Sequence, residues 1–309
     1  MRYVLLGGGG FLGSHLCDIL VRSGHAVRVF DAPGARYLEY SRRLGADVLT
    51  GDFQNPEDLH RALENCDQVF HLVSTTVPQT SNADPIFDVE SNLIGTLRLL
   101  ELVRKKSVKK VIFPSSGGTV YGIPKTTPIQ ETHPVDPISS YGITKLSIEK
   151  YLHLFWTLYG VNYCILRIAN AYGRRQPVVE TQGVIPAFLN KMLHGEEIEV
   201  WGDGSVVRDY VNARDIAKAF LKASVHEGEP KVFNIGSGNG HSLIDIIDII
   251  KLLSKRSLKI KYMPSRSFDV PVNVLDISRA KKYLDWEPTV GLDEGITDML
   301  NWMSDSSAS

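Results

Sequence analysis

The chain has 309 residues, 43% of them hydrophobic and 22% charged, with 34 Lys and Arg against 35 Asp and Glu for a net charge of −1. That balance suits a folded protein with a substantial core and gives no reason to expect nucleic acid or an anionic membrane as partner. Cys17, Cys66 and Cys164 are far apart in apolar surroundings, so they read as reduced core thiols of a cytoplasmic protein. Met1 leads straight into a strand and the apolar runs are short, so neither a signal peptide nor a membrane span is expected.

The first β-type run, Tyr3–Leu6, enters Gly7-Gly-Gly-Gly10-Phe11-Leu12-Gly13. A helix-period stretch, Leu12–Val21, follows, and the next β-type run, Ala26–Phe30, closes on Asp31. Strand, glycine turn, helix, strand and acid in that order describe a dinucleotide-binding βαβ unit. The glycines let a pyrophosphate approach the backbone at a helix N-terminus, and either Gly7/Gly10/Gly13 or Gly8/Gly10/Gly13 supplies the register. Asp31 would accept hydrogen bonds from the adenosine ribose and repel a 2′-phosphate, which selects NAD over NADP.

Strand-like runs recur at Asp47–Leu49, Gln68–Leu72, Lys110–Phe113 and Tyr163–Ile168, separated by helical Leu59–Leu63, Asp88–Lys105 and Tyr141–Leu158. The alternation predicts an α/β fold with a Rossmann-type, doubly wound parallel sheet. Val89, Leu93, Thr96, Leu100 and Val103 share one face at a 3.6-residue period. Beyond about residue 170 the order loosens. Residues 1–170 read as the NAD-binding core and 171–309 as a smaller, mainly substrate-binding lobe, with some segments free to return to the core. Within it, Val232–Ile235 reads as a strand, Ser242 and Asp245 as a capping box, and Leu243–Leu253 as the helix they start. Gly236-Ser-Gly238-Asn-Gly240 also lies between strand and helix, but the next β-type run, Leu258–Tyr262, ends without an acid. It reads as a structural loop.

Tyr141-Gly-Ile-Thr-Lys145 carries the chemistry, because a spacing of four puts phenol and ammonium on one helix face. A neighbouring ammonium, together with the positive charge of an oxidised nicotinamide, favours the phenolate and brings a side chain of pKa about 10 toward use as a base. The strand before it ends in Ser115-Ser116-Gly117-Gly118-Thr119-Val120-Tyr121-Gly122, a hydroxyl- and glycine-rich segment placed at the carboxyl edge of the sheet. The nine histidines show no metal-ligand spacing, no CxxC, HExxH or GxSxG occurs, and no metal is expected. His71 reads as a satisfied core residue. The Arg104-Lys105-Lys106 and Lys109-Lys110 charges read as helix-end cations facing water.

Over nearly its whole length the chain resembles the extended short-chain dehydrogenases/reductases, specifically the NAD-dependent nucleotide-sugar epimerase/dehydratase family and its UDP-glucose and UDP-N-acetylglucosamine 4-epimerases. Gly7–Gly13 corresponds to that family's glycine turn, with Phe11 and Leu12 inside it, and Asp31 to its ribose acid. Asp52-Phe53 corresponds to the pair beside the adenine, His71-Leu72-Val73-Ser74-Thr75 to the stretch lining the nicotinamide half, and Asn92-Leu-Ile-Gly95-Thr96 to a helix motif. The resemblance implies that Tyr141 and Lys145 are catalytic and also touch the cofactor. It implies further that Asn170 and Arg208 contact the sugar diphosphate, Arg266 the diphosphate, and Asp269 the nucleotide ribose. The family's gate to the sugar lies four residues after that Asp, which is Asn273 here; a slip of one residue would place Val272 or Val274 there.

The departures narrow the chemistry. Gly117 stands where the family usually has a Ser or Thr that hydrogen-bonds the reacting sugar hydroxyl, leaving Ser116 and Thr119 as substitutes, with Thr119 preferred. Gly118 and Thr119 stand where dehydratases carry a Thr-neighbouring Asp-Glu pair, and no decarboxylase Glu is present in the segment. What remains is a hydride carrier and one tyrosine, as in C4 epimerisation of a UDP-sugar through a 4-keto intermediate. A net nucleotide-sugar oxidoreductase and a non-catalytic dinucleotide-binding protein are the alternatives. The resemblance also implies a homodimer through the helices Asp88–Lys105 and Tyr141–Leu158, with Ile148, Leu152, Phe155 and Tyr159 as an apolar stripe that fits core packing nearly as well.

Overall fold

β1 (Arg2–Leu6) sets four buried apolar residues in a row, the pattern of a strand covered on both faces. The structure, a computed structural model, describes residues 1–178, 183–255, 257–265 and 270–307. After β1 come α1 (Phe11–Arg22), β2 (Ala26–Asp31), α2 (Leu38–Arg43), β3 (Asp47–Thr50), α3 (Pro56–Ala62) and β4 (Gln68–His71). α3 shows why such short helices form: the Asn55 side chain caps Glu57 and Asp58 N–H groups, and Pro56 at the first position pre-sets the backbone. Then come α4 (Pro78–Ala83) and a continuous helical run of α5 (Pro85–Asp88), a π-helical turn (Val89–Ile94) and α6 (Gly95–Lys105), followed by β5 (Lys110–Ser116), α7 (Ser140–Tyr159) and β6 (Asn162–Ile168).

The rest comprises β7 (Asn170–Tyr172), α8 (Val184–His194), β8 (Glu197–Trp201), β9 (Val207–Asn212), α9 (Ala213–Val225), β10 (Val232–Ile235), β11 (Gly240–Ser242) and α10 (Leu243–Ser254). β12 (Lys259–Met263), β13 (Val272–Asn273), α11 (Ser278–Leu284) and α12 (Leu292–Ser307) complete it. The main sheet runs β3-β2-β1-β4-β5-β6-β10, with every pairing parallel. Its order reverses between β1 and β4, the switch point outside whose carboxyl ends such sheets bind ligands. β10 therefore returns from late in the sequence to extend the first half's sheet.

Leu16 and Leu20 of α1 and Phe220 of α9 bury one face of the sheet. Leu99, Leu100 and Val103 of α6, with Ile148, Leu152 and Phe155 of α7, bury the other. Truncating one such side chain to Ala costs about 2–5 kcal/mol. A third core (Ile185, Leu189, Ile198, Val200, Ile246, Met299) lies under the smaller β8–β12 and β9 sheets.

Three sequence expectations change. The π turn shifts the helix register, so Val89 is 36% exposed while Ser91 and Asn92 turn inward. Ile148, Leu152 and Phe155 are spent on the core, and only Tyr159 of that stripe reaches the surface. Lys110 does not face water: it is 2% exposed, and its ammonium donates to the Ala223 and His226 carbonyls at the C-terminus of α9.

Candidate active site

The cofactor cradle begins at Gly7, whose φ of +80° suits only glycine and whose N–H donates to the Phe30 carbonyl at 2.8 Å. Gly13 is needed for another reason: a Cβ there would lie 2.6 Å from the Gly8 Cα. α1 starts at Gly10 with no side-chain cap, so its first N–H groups and the positive end of its dipole remain for an anion. At the end of β2, Asp31 accepts from the Gly9 N–H at 2.9 Å and the Ala32 N–H at 2.8 Å. Burial pushes its carboxyl above the usual range, and those two N–H groups pull it back.

Asp52 is exposed and accepts from the Gln54 N–H, while Phe53 is buried and stacks on His71 with ring centres 5.1 Å apart. The Leu72 N–H donates to the Leu6 carbonyl at 2.8 Å, after which exposed Ser74 and Thr75 open a loop over the sheet edge. Anion-ready helix terminus, glycine floor and ribose acid thus lie together at the carboxyl ends of β1 and β2. That set fits NAD.

α7 starts after Ser139, whose hydroxyl accepts from the Gly142 N–H, and carries Tyr141 and Lys145 one turn apart. The Lys145 ammonium lies 5.5 Å from the Tyr141 ring centre and 4.7 Å from that of Phe113, and donates to the Pro114 carbonyl at 3.2 Å. Burial lowers its pKa to about 8, with Asp88 acting in the opposite sense. Tyr141 shifts in the opposite direction. Burial pushes its phenol up to about 12, a hydrogen bond with Ser74 opposes the rise, and Asp88 adds to it. The ammonium is engaged with a carbonyl and two rings, so in the protein alone it does not produce a phenolate.

Behind this pair sits a group the sequence reading passed over. Asp88 is fully buried, and four side chains donate to it. Thr76 and Asn92 (3.1 Å) reach one oxygen; Ser140 and Thr144, each at 2.8 Å, reach the other. The clustering of Ser and Thr at 74–76, 140 and 144 was the available signal. His71 was expected to be satisfied. Its Nε2–H donates to Thr96, but its buried Nδ1 has no partner, and burial holds the ring neutral with a pKa of about 3.

On the substrate side, Ser116 is half-buried at the end of β5, and a Cβ on Gly117 would fall 2.5 Å from Leu275 Cδ1. The Thr119 hydroxyl is buried without a hydrogen-bond partner, and its backbone packs against Gly142, next to Tyr141. Asn273, 1% exposed, donates to the Gly117 carbonyl at 3.3 Å and leaves its own Oδ1 unpartnered. The Asn170 amide donates to the Asp209 carbonyl at 3.1 Å, and the Arg208 guanidinium to the Val270 carbonyl at 2.6 Å. Arg266 and Asp269 lie outside the described residues. A cavity of about 1100 Å³ at the carboxyl ends of the paired strands β8 and β12 is lined by Trp201, Asp203, Tyr262, Met263 and Pro271. The glycine loop 236–240 sits on the buried Asp209 carboxylate, which accepts from the N–H groups of Ser237 at 2.7 Å and Gly238 at 3.2 Å. Among the described residues no group of His, Cys, Asp and Glu could hold a metal ion, and no helix is long and apolar enough to cross a membrane.

A seven-stranded parallel sheet, an acid-tipped glycine cradle and a Tyr–Lys pair on one helix define an extended short-chain dehydrogenase/reductase. Residues 3–236 match the NAD dependent epimerase/dehydratase family, and the chain belongs to that family, whose cofactor is NAD. It is 34% identical over 316 residues to the UDP-glucose 4-epimerase of Mycolicibacterium smegmatis, covering 99% of this chain and 100% of that protein. It is 32% identical over 304 residues to the dTDP-4-dehydro-6-deoxyglucose reductase of Escherichia coli, covering 96% of each. Among solved structures, the UDP-glucose 4-epimerase of Thermotoga maritima with UDP-glucose superposes with a TM-score of 0.95 at 38% identity, over 99% of this chain and 100% of that one.

Proposed function

We propose that the protein interconverts the C4 epimers of a UDP-linked sugar. The observation that carries the reading is the Tyr141–Lys145 face of α7, set beside Ser74 and Thr119 with no carboxylate in the 115–122 segment to drive dehydration. NAD, when bound, supplies the hydride acceptor for C4 and gives the hydride back. Tyr141 takes the proton of the sugar 4-hydroxyl and later returns it; Lys145 holds the cofactor ribose and steadies the phenolate. Thr119, whose hydroxyl lacks a partner, or Ser116 hydrogen-bonds the reacting oxygen. Arg208, Arg266 and Asn170 neutralise and fix the diphosphate, while Asp269 and the cavity beside Trp201 take the nucleoside. The 4-keto sugar turns about its anchored phosphate and accepts hydride on its other face.

Residues 1–170 serve the cofactor, and 171–309 mainly the substrate. The protein pairs as a homodimer through the outward face of α7, where Ile143, Leu154 and Leu158 are exposed, together with Ile86 and Phe87 of α5.

Incubation with a panel of UDP-sugars, followed by separation of the products, tests this reading. Formation of the C4 epimer with no net change in NADH supports it. The reductase relative favours a second reading, a net oxidoreductase, and steady NADH formation or consumption would establish that instead.

A further inference from the structure

Among the described residues, Asp88 is the one carboxylate on which the loop after β4, the π-helical turn and α7 converge. Thr76 reaches it from the loop, Asn92 from the π turn, and Ser140 and Thr144 from the first turns of α7. The π turn is what makes the convergence possible. By widening one turn it faces Asn92 inward, so that the amide also contacts the Thr75 hydroxyl at 2.9 Å and accepts from the Thr75 N–H at 3.0 Å. Ser91 pairs with the Thr75 hydroxyl at 2.6 Å. Ser74 heads that loop and hydrogen-bonds Tyr141, so the carboxylate fixes the phenol's partner as well as the phenol's own helix.

We infer that Asp88 is a positioning residue for the Tyr141–Lys145 pair, holding the loop against α7 and supplying the buried negative charge against which the pair ionises. This rests on the proposed epimerase chemistry. The titratable groups around the pair are Asp88 from α5, Tyr141 and Lys145 from α7, and His71 from β4, which is neutral. Thr76, Asn92, Ser140 and Thr144, which complete the shell of the carboxylate, carry no charge. A fully desolvated carboxylate acts over several ångströms with little screening, so it favours the protonated forms of both Tyr141 and Lys145. Its presence keeps the lysine charged near neutral pH despite burial and delays ionisation of the tyrosine until positive charge arrives.

Asp88→Asn keeps the shape, and the Ser140 and Thr144 hydroxyls can turn to accept from the new amide. Both limbs of the kcat–pH profile of NAD-loaded protein are expected to move to lower pH, by about one unit. Phenolate absorbance, taken as the difference from the matching Tyr141→Phe protein, should move the same way and needs no turnover. The double variant Ser140→Ala/Thr144→Val keeps the charge but removes two dipoles that offset it, so its limbs should move to higher pH. Limbs and absorbance that stay in place in Asp88→Asn overturn the inference. If that protein does not fold, wild-type limbs and absorbance in the double variant overturn it. A wild type that epimerises no UDP-sugar defeats the functional reading alone, and the absorbance still decides the role of Asp88.

Discussion

Leu275 occupies the space that a side chain on Gly117 would need: a Cβ built on the glycine lies 2.5 Å from Leu275 Cδ1 and 3.1 Å from the Arg167 carbonyl oxygen. The missing hydroxyl at this point of the family pattern is therefore coupled to packing from a distant part of the chain. The N–H of the same Leu275 donates to the buried Asp209 carboxylate at 3.3 Å, which keeps the leucine backbone in place.

Gly117→Ser, which restores the family residue, should destabilise the protein by about 1–3 kcal/mol through overpacking. Shortening the opposing side chain in Gly117→Ser/Leu275→Val should recover most of that loss. Urea denaturation of the two variants checks it. A single variant as stable as wild type would show that Leu275 yields freely.

Tyr141→Phe should lower turnover by about two to four orders of magnitude while leaving fold and bound NAD unchanged, because the ring stays and only the proton-transferring oxygen goes. Rates are to be read beside circular dichroism and cofactor content. More than about a tenth of wild-type activity would remove the tyrosine from the chemistry.

The sheet was legible because its strands are short apolar runs at regular intervals, with a glycine turn and an acid marking the switch point. The placement of Tyr141 and Lys145 on one face of α7 was legible because it follows from spacing alone. A role that depends on convergence was not legible. Asp88 reads from the sequence as one more polar residue at a helix start, and only the π turn reveals the neighbours it gathers. Spacing also does not show the burial that raises the Tyr141 phenol.

Two buried histidines should make the fold acid-sensitive. His71, with a pKa of about 3, and His15, about 4, stay neutral in the native state. His15 is fixed by donating to the Arg174 carbonyl and accepting from Arg175. In an unfolded chain both titrate near 6.5. Between those values the unfolded chain binds protons that the native one does not. Stability is therefore lost as pH falls below about 6.5, by about 1.4 kcal/mol per pH unit for each ring. His71→Gln removes one of the two slopes. Denaturation at pH 7 and pH 5 should show a smaller acid loss in the variant than in wild type, and equal losses would refute the assignment.

The protein as purified should carry NAD. The proposed epimerase cycle never needs to release the cofactor, and in the proposed NAD site the Asp31 carboxylate, fixed by the Gly9 and Ala32 N–H groups, would repel a 2′-phosphate. Denaturing the protein and identifying the released nucleotide tests this. NADP as the main species would overturn the role given to Asp31.

Asn273 should admit an N-acetyl group at C2 of the sugar, so that UDP-GlcNAc and UDP-GalNAc are turned over beside UDP-Glc and UDP-Gal. The residue is almost wholly buried against Gly117, and its Oδ1, itself buried, has no hydrogen-bond partner and would gain one if an acetamido N–H reached it. A tyrosine has no space within the packed contact between Asn273 and Gly117, and in the proposed site its ring would be displaced toward the sugar. Asn273→Tyr should then lose the acetamido pair by about tenfold or more relative to the plain pair, the usual worth of a steric or hydrogen-bond mismatch in a pocket. Turnover of all four sugars by wild type and variant is the measurement. If wild type turns over only the plain pair, or the variant leaves the ratio unchanged, Asn273 does not gate the sugar.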